Sequence, residues 1–421
     1  MKQIFGLPGK IRNLLSSKNS RTKFIFKVGN LLSGLVLTNI INFVGFLIIA
    51  KLFHVETLGQ YYIFIAIATV MNIVITVGYP QSIPLLKNEE LRDMYLSILL
   101  LASLLICIAS PFIFLVYDQA LFLILYGFAQ ACLSISQQVF IRDQLVYNIN
   151  IMNGLNSVGN IFFILMGFHL YGNSLYHLIL MTTLSVILVN IMIYVAFLKD
   201  YKFFQFYKFN INILWKYNNF SKYIGPGLIL HTVAYQIPTL AAGYFFSPSI
   251  AAYYNMAYKL VYLPATLISS SISQVFVGRL SQKSRQNEGI FFGFTELSKY
   301  LILISTIFMT SLWIIVPKII IVFFDDSWMG AIQISYALLP LAFALIAISP
   351  LSAVLQFTNN QLTILKLHTY SLLISILSFG LGIFLNNFII GVYIFSIAML
   401  IRYLGVLASL IKIRKRTIVD H

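Results

Sequence analysis

Ala50-Lys-Leu-Phe-His-Val-Glu-Thr-Leu-Gly-Gln-Tyr-Tyr62 returns 192 residues later as Ala242-Gly-Tyr-Phe-Phe-Ser-Pro-Ser-Ile-Ala-Ala-Tyr-Tyr254. Without a gap, Ala50, Phe53, Tyr61 and Tyr62 meet identical partners, and Gly59 meets the small Ala251. Apolar runs flank both copies, so each reads as the turn closing a hairpin of two hydrophobic segments. Two copies of one hairpin signal a duplicated architecture. The basic, aromatic stretch 199–222 falls between them, at mid-chain, where a linker between two halves belongs.

The composition around these turns sets the class. Of 421 residues, 59% are hydrophobic and 10% charged, against roughly 25% charged in an ordinary soluble protein. Mean hydropathy is +0.88. So few charges cannot cover that much apolar surface in water, and the same numbers exclude disorder. The net charge of +16 is too dispersed for a nucleic-acid-binding face. What remains is an all-α polytopic membrane protein. Cys107 and Cys132 lie in apolar runs and read as buried small hydrophobes. No Cys/His cluster has metal-ligand spacing, so neither a metal nor a cofactor is expected. The basic start followed by a long apolar run does not match a cleavable leader. Ile4, Phe5, Leu7, Ile11, Leu14 and Leu15 suit a short helix on the inner membrane surface.

A spanning helix needs about 20 mostly apolar residues. Twelve such segments follow one another: 28–50, 61–83, 94–116, 120–141, 154–171, 175–198, 223–246, 250–277, 297–317, 330–357, 363–385 and 389–411. With the N-terminus in the cytoplasm, 23 of the 28 Lys and Arg fall on the inner side and two, Lys51 and Lys318, on the outer. That split fixes the orientation and returns the C-terminus to the cytoplasm. The expected organisation is a basic segment 1–26, a first half 27–198, the cytoplasmic linker 199–222, a second half 223–411 and a basic tail 412–421. Six spans per half is an even number, so both halves enter the membrane from the same side. They would be related by a pseudo-twofold along the membrane normal, an arrangement suited to alternating access.

The segment from Ala50 to Tyr62 resembles a turn of polysaccharide-exporting membrane proteins, with Gly59 and Tyr61 in the expected places and Gln60 where a small residue is usual. The segment from Ser247 to Pro264, with Tyr254, Ala257 and Lys259, is similar to the version in their second half. The family is that of the lipid-linked oligosaccharide flippases (O-antigen translocases of Wzx type), within the multidrug/oligosaccharidyl-lipid/polysaccharide exporter superfamily. The resemblance implies a MATE-like pair of six-helix lobes. It also implies a substrate, an undecaprenyl-diphosphate-linked oligosaccharide moved from the cytoplasmic to the periplasmic leaflet of the bacterial inner membrane. The polymerase and chain-length proteins of the same pathway would be its neighbours, and no enzymatic activity is implied.

The charges agree with a diphosphate cargo. Charges inside spans are costly and tend to be functional. Lys259 and Arg402 fall within spans and have no local carboxylate in sequence, whereas Lys299 has Glu296 three residues before it. Lys259 and Arg402 therefore read as a headgroup pair, a point charge and a fork donor. The competing readings are snorkelling for Lys259 and bonding to backbone carbonyls for Arg402. Lys51 lies on the turn itself, and Arg142 and Arg279 end two helices at the cytoplasmic mouth, where the positive-inside rule alone also places cations. His231 and His368 are candidates for proton coupling or for packed hydrogen-bonding groups. Pro226, Pro238, Pro264, Pro340 and Pro350 mark possible helix breaks. Asn39, Asn42, Tyr253, Tyr254, Asn255, Tyr258 and Tyr262 suit sugar hydroxyls or one another. Two alternatives stay open: another exporter of the superfamily, such as a multidrug pump, which would call for buried carboxylates, and a membrane-embedded polymerase, which would call for a large outer loop.

Overall fold

The computed structural model describes residues 20–201, 211–285, 294–352 and 361–419. The proposed surface helix of residues 4–15 and the aromatic residues Phe203, Phe204, Phe206 and Tyr207 lie outside the described residues.

The described chain is helical, and its twelve long helices follow the twelve predicted segments. The first six are α1 (Ser20–Leu52), α2 (Val55–Thr76), α3 (Asn88–Val116), α4 (Ala120–Arg142), α5 (Val146–Tyr171) and α6 (Leu175–Ile193). The next six are α7 (Gly225–Ala241), α8 (Pro248–Arg285), α9 (Phe294–Phe323), α10 (Gly330–Ala347), α11 (Gln361–Phe384) and α12 (Phe388–Val419). Residues 20–26, expected as part of a separate basic segment, are the start of α1, and residues 412–419 continue α12.

Among the described residues, nine helices are long and apolar enough to cross a membrane. The other three have identifiable reasons. Only Val36–Leu52 of α1 enters that reckoning. Helix α7 has 17 residues before a π-turn, Ala242–Phe246, carries the chain on to α8. Helix α8 is rich in Ser and Tyr because it is packed by protein rather than lipid: Ala251, Ala252, Ala257 and Ala265 are fully buried against α2 and α10. Small residues on such a face let helices approach closely.

The halves repeat one packing plan. In the first, α1 packs on α5, α5 on α6, α6 on α4, and α4 on α2 and α3. In the second, α7 packs on α11, α11 on α12, α12 on α10, and α10 on α8 and α9. Each pairing has its counterpart six helices on. The outermost helices match as well: α3 and α9 are the least buried spans, with Phe112, Leu115 and Val116 on one and Ile307, Val322 and Phe323 on the other turned outward. An apolar band of this kind is what a bilayer covers, so the chain is a multi-pass membrane protein.

Contact between the halves runs chiefly through α2 against α7 and α8. At the repeated turn, the buried Gly59 faces the Pro248 backbone so closely that a Cβ there would stand 1.7 Å from the carbonyl oxygen. At the opposite end, α2 stops on Val77 (φ 48°) and Gly78 (φ 75°). Their left-handed backbone brings Gly78 against Gly225, where a Cβ would lie 2.6 Å from the Val77 oxygen.

Some expectations fail. Pro238, Pro264 and Pro340 sit inside helices, whereas Pro226 opens α7 after the π-turn Phe220–Ile224 and Pro350 follows a break at Ile348. Cys107 is exposed on the outward side of α3 rather than buried, and Cys132 is half-buried. The described ion pairs are Arg92–Asp93, Arg142–Asp143 and Lys216–Glu90, so the expected Glu296–Lys299 pair is not formed. Both Glu296 and Lys299 are exposed, and water competes for them.

Candidate functional site: a cationic cluster in the second half

Helix α7 begins Gly225-Pro-Gly227, and that start positions one side of the cluster. Gly225 admits the close approach of α2, and Gly227 leaves room for His368 of α11, whose Cδ2 would lie 3.6 Å from a Cβ. One turn further along α7, the His231 ring stands 4.9 Å from the His368 ring, at 62°. The Ser375 hydroxyl donates to the Ala234 carbonyl at 2.6 Å and holds α7 and α11 in register.

Arg402 of α12 completes the group. It lies near enough to both imidazoles for its charge to act on them. Its guanidinium stacks on the Tyr403 ring at 4.3 Å, and Nη1 reaches the Leu367 carbonyl at 3.5 Å. That is the outer limit of a hydrogen bond, and the buried Nε has no partner. No described carboxylate pairs with it. Tyrosines adjoin the group: Tyr235 lies 4.8 Å from His231 and 5.8 Å from Tyr262, which stacks on Tyr258 at 4.3 Å and 17°. Three residues far apart in the chain, His231, His368 and Arg402, are thus brought together. A planar cation with an unused N–H, beside two imidazoles and several phenols, is suited to a phosphate-like anion.

Lys259 lies elsewhere. It leaves α8 toward the first half, where its ammonium sits 4.2 Å from the Phe46 ring of α1 and 4.9 Å from the Tyr62 ring of α2. No described carboxylate approaches it. This is a cation–π clamp between the halves rather than a snorkelling chain. Phe46 was not singled out by the sequence; the repeated Tyr62 was, but as a turn residue.

The remaining cations are placed as follows. Lys51 is exposed in the last turn of α1. Arg142 is fully engaged: Nε donates to the Leu86 carbonyl at 3.1 Å, Nη1 to Asp143 at 2.7 Å and Nη2 to Asn88. It thereby ties the end of α4 to the start of α3. Arg279 falls in the last turns of α8, and its side chain lies outside the described residues. In the described part of the linker, Lys216 pairs with Glu90, whose carboxylate raises the Lys216 ammonium above its ordinary value. The Tyr217 hydroxyl donates to the same carboxylate at 2.9 Å. The described part of the linker is therefore fastened to the first half. Of the polar residues read as sugar or partner groups, Asn255 is satisfied locally, donating to Thr239 at 3.2 Å and to the Ala251 carbonyl at 2.9 Å.

Comparison with known proteins places this geometry. The model of a family described as "Polysaccharide biosynthesis protein" matches residues 48–333. No curated protein matches the sequence. Among solved structures, the lipid II flippase MurJ in an inward closed conformation aligns with a TM-score of 0.70 and 17% identity, over 90% of this chain and 87% of that one. An inward-facing multidrug resistance MATE transporter of the MOP superfamily aligns at 0.63 and 14%, over 96% and 97%. A MOP superfamily transporter from Pyrococcus furiosus, described by the reverse polarity of its binding pocket, aligns at 0.57 and 14%, over 93% and 94%. At these identities the likeness is one of fold, and that fold is the expected pair of six-helix bundles.

Proposed function

Because the chain belongs to the polysaccharide biosynthesis protein family, we propose that it is a flippase for undecaprenyl-diphosphate-linked oligosaccharide. It carries an O-antigen or similar lipopolysaccharide repeat unit from the cytoplasmic to the periplasmic leaflet of the bacterial inner membrane by alternating access, with both termini in the cytoplasm. The polymerase and chain-length proteins of the same pathway take up its product.

The observation that carries this reading is Arg402. A guanidinium half-buried in a membrane protein, with an unpartnered Nε and no paired carboxylate, asks for an anion. His231 and His368 provide further donors at the same place. The diphosphate binds there while the prenyl tail stays in the bilayer. Lys259 is held by aromatic rings while the outer ends are together, and it becomes available to the headgroup when they part. Arg142 is left out, because its donors are already used. Among the described residues no carboxylate pairs with Lys259 or Arg402, which speaks against an organic-cation pump.

The test is transport in proteoliposomes with a fluorescent polyprenyl-diphosphate sugar, read by leaflet accessibility. Wild type equilibrates the lipid between leaflets. Arg402→Ala inserts normally and loses at least tenfold in rate, the cost of about one charge-assisted hydrogen bond. Transport of organic cations instead, or an unimpaired Arg402→Ala, overturns the proposal.

A further inference from the structure

The first half contains a different kind of unsatisfied group. Among the described residues, the amide oxygens of Asn72, Asn156 and Asn160 and the Ser185 hydroxyl are buried without a hydrogen-bond partner. All four belong to α2, α5 and α6. The Asn160 amide lies beside the Tyr61 hydroxyl, which also receives a hydrogen bond from Thr182 at 3.3 Å, so α2, α5 and α6 meet there. Helix geometry sets out the rest. Asn156 is one turn from Asn160 on the same face of α5. Asn72 follows Tyr61 by eleven residues, which returns it to within about 20° of the same face of α2, roughly 16 Å deeper. The polar groups therefore form a strip along the membrane normal, and each asparagine is only half-buried.

The chemistry of the strip differs from that of the second half. Every member is neutral, while Arg402, His231, His368 and Lys259 all lie on the helices of the other half. No described group of His, Cys, Asp or Glu here could hold a metal ion. An asparagine offers an acceptor oxygen and two donor hydrogens, and a hydroxyl both gives and takes a hydrogen bond. Amides in a row thus match a chain of sugar hydroxyls. A bare cation would use the oxygens alone and would favour a carboxylate among them.

We propose that this strip of α2 and α5 is a glycan subsite, so that the substrate is read in two parts: the sugars on amides of the first half, the diphosphate on cations of the second. The inference rests on the flippase reading. Its consequence is that selection among lipid-linked glycans and capture of the headgroup are separable by mutation.

The experiment measures binding of two lipids to the full-length protein in nanodiscs: undecaprenyl diphosphate, and undecaprenyl diphosphate bearing an N-acetylglucosamine disaccharide. Recognition is of hydroxyls as a class, so any neutral pyranose engages it. Wild type is expected to prefer the glycolipid. Asn72→Leu with Asn156→Leu should lower glycolipid affinity about tenfold and leave undecaprenyl diphosphate affinity within twofold. Asn156→Gln, which keeps the amide, should restore part of the loss and guards against misfolding of the double variant. Equal losses for both lipids, no loss for either, or loss of radioactive sodium binding in place of glycolipid binding each overturns the subsite. If wild type binds neither lipid, the flippase reading fails and the subsite with it. If wild type binds both and the variants do not discriminate, the subsite alone fails.

Discussion

Replacing Phe46 by leucine should loosen the outer contact between the halves, and the size of the effect follows from the clamp. The Lys259 ammonium lies over Phe46 at 4.2 Å and Tyr62 at 4.9 Å, both inside the range of a cation–π contact. A desolvated contact of this kind contributes about 2 kcal/mol, and two rings sharing one cation contribute less than twice that. Phe46→Leu removes the nearer ring and keeps most of the apolar volume, for a loss of about 1.5–2 kcal/mol in specific attraction. Each 1.4 kcal/mol is a factor of ten, so the ratio of parted to closed outer ends should rise roughly 10- to 30-fold. Lost packing also contributes, and a double-mutant cycle with Lys259→Met removes that part because it is common to both backgrounds. The assay is a spin-label distance distribution between Glu56→Cys and Tyr244→Cys, exposed positions at the outer ends of the two halves, with Cys107 and Cys132 replaced by serine. Tyr62→Phe keeps its ring and should leave the distribution almost unchanged. If Phe46→Leu shifts the distribution equally with and without Lys259, the coupling is zero and the clamp is only packing.

Further outcomes follow from the same interface and from the contacts of Arg142. Gly59→Ala drives a Cβ to 1.7 Å from the Pro248 carbonyl oxygen, where only backbone can yield. The same spin labels should report parted outer ends, since overpacking costs about 1–3 kcal/mol. Arg142→Lys cannot reproduce three fork contacts with one ammonium, so it should lower thermal stability in detergent while each folded molecule transports at the wild-type rate. A proportionate loss of transport rate in folded protein would show that Arg142 touches substrate.

Much of the fold was legible because membrane physics writes it into single segments. Runs of apolar residues fix the helices. Boundaries erred where polar residues continue a helix past the bilayer, as in Ser20 to Lys27 of α1 and at the end of α8. The Ala50–Tyr62 repeat located a turn of each half that meets the other half, because close approach at Gly59 and Ala251 demands small residues. The cationic cluster was legible only in part. Buried cations without sequence-local acids marked Lys259 and Arg402, but no linear pattern shows that His231 and His368 sit beside Arg402 while Lys259 turns to Phe46. Those neighbours are set by which helices pack, and packing is a tertiary property. The asparagines of α5 did carry a signal: Asn153, Asn156 and Asn160 recur at helical spacing in an otherwise apolar span.

The central claim is that the headgroup is held in the second half, at Arg402. A photoreactive undecaprenyl diphosphate, with its reactive group beside the phosphates, tests it directly when cross-linked sites in the membrane-embedded protein are read by mass spectrometry. The account predicts attachment within Gly225–Ala241, Gln361–Phe384 and Phe388–Val419, and its loss in Arg402→Ala. Attachment confined to the first six helices, or unchanged by Arg402→Ala, would contradict it.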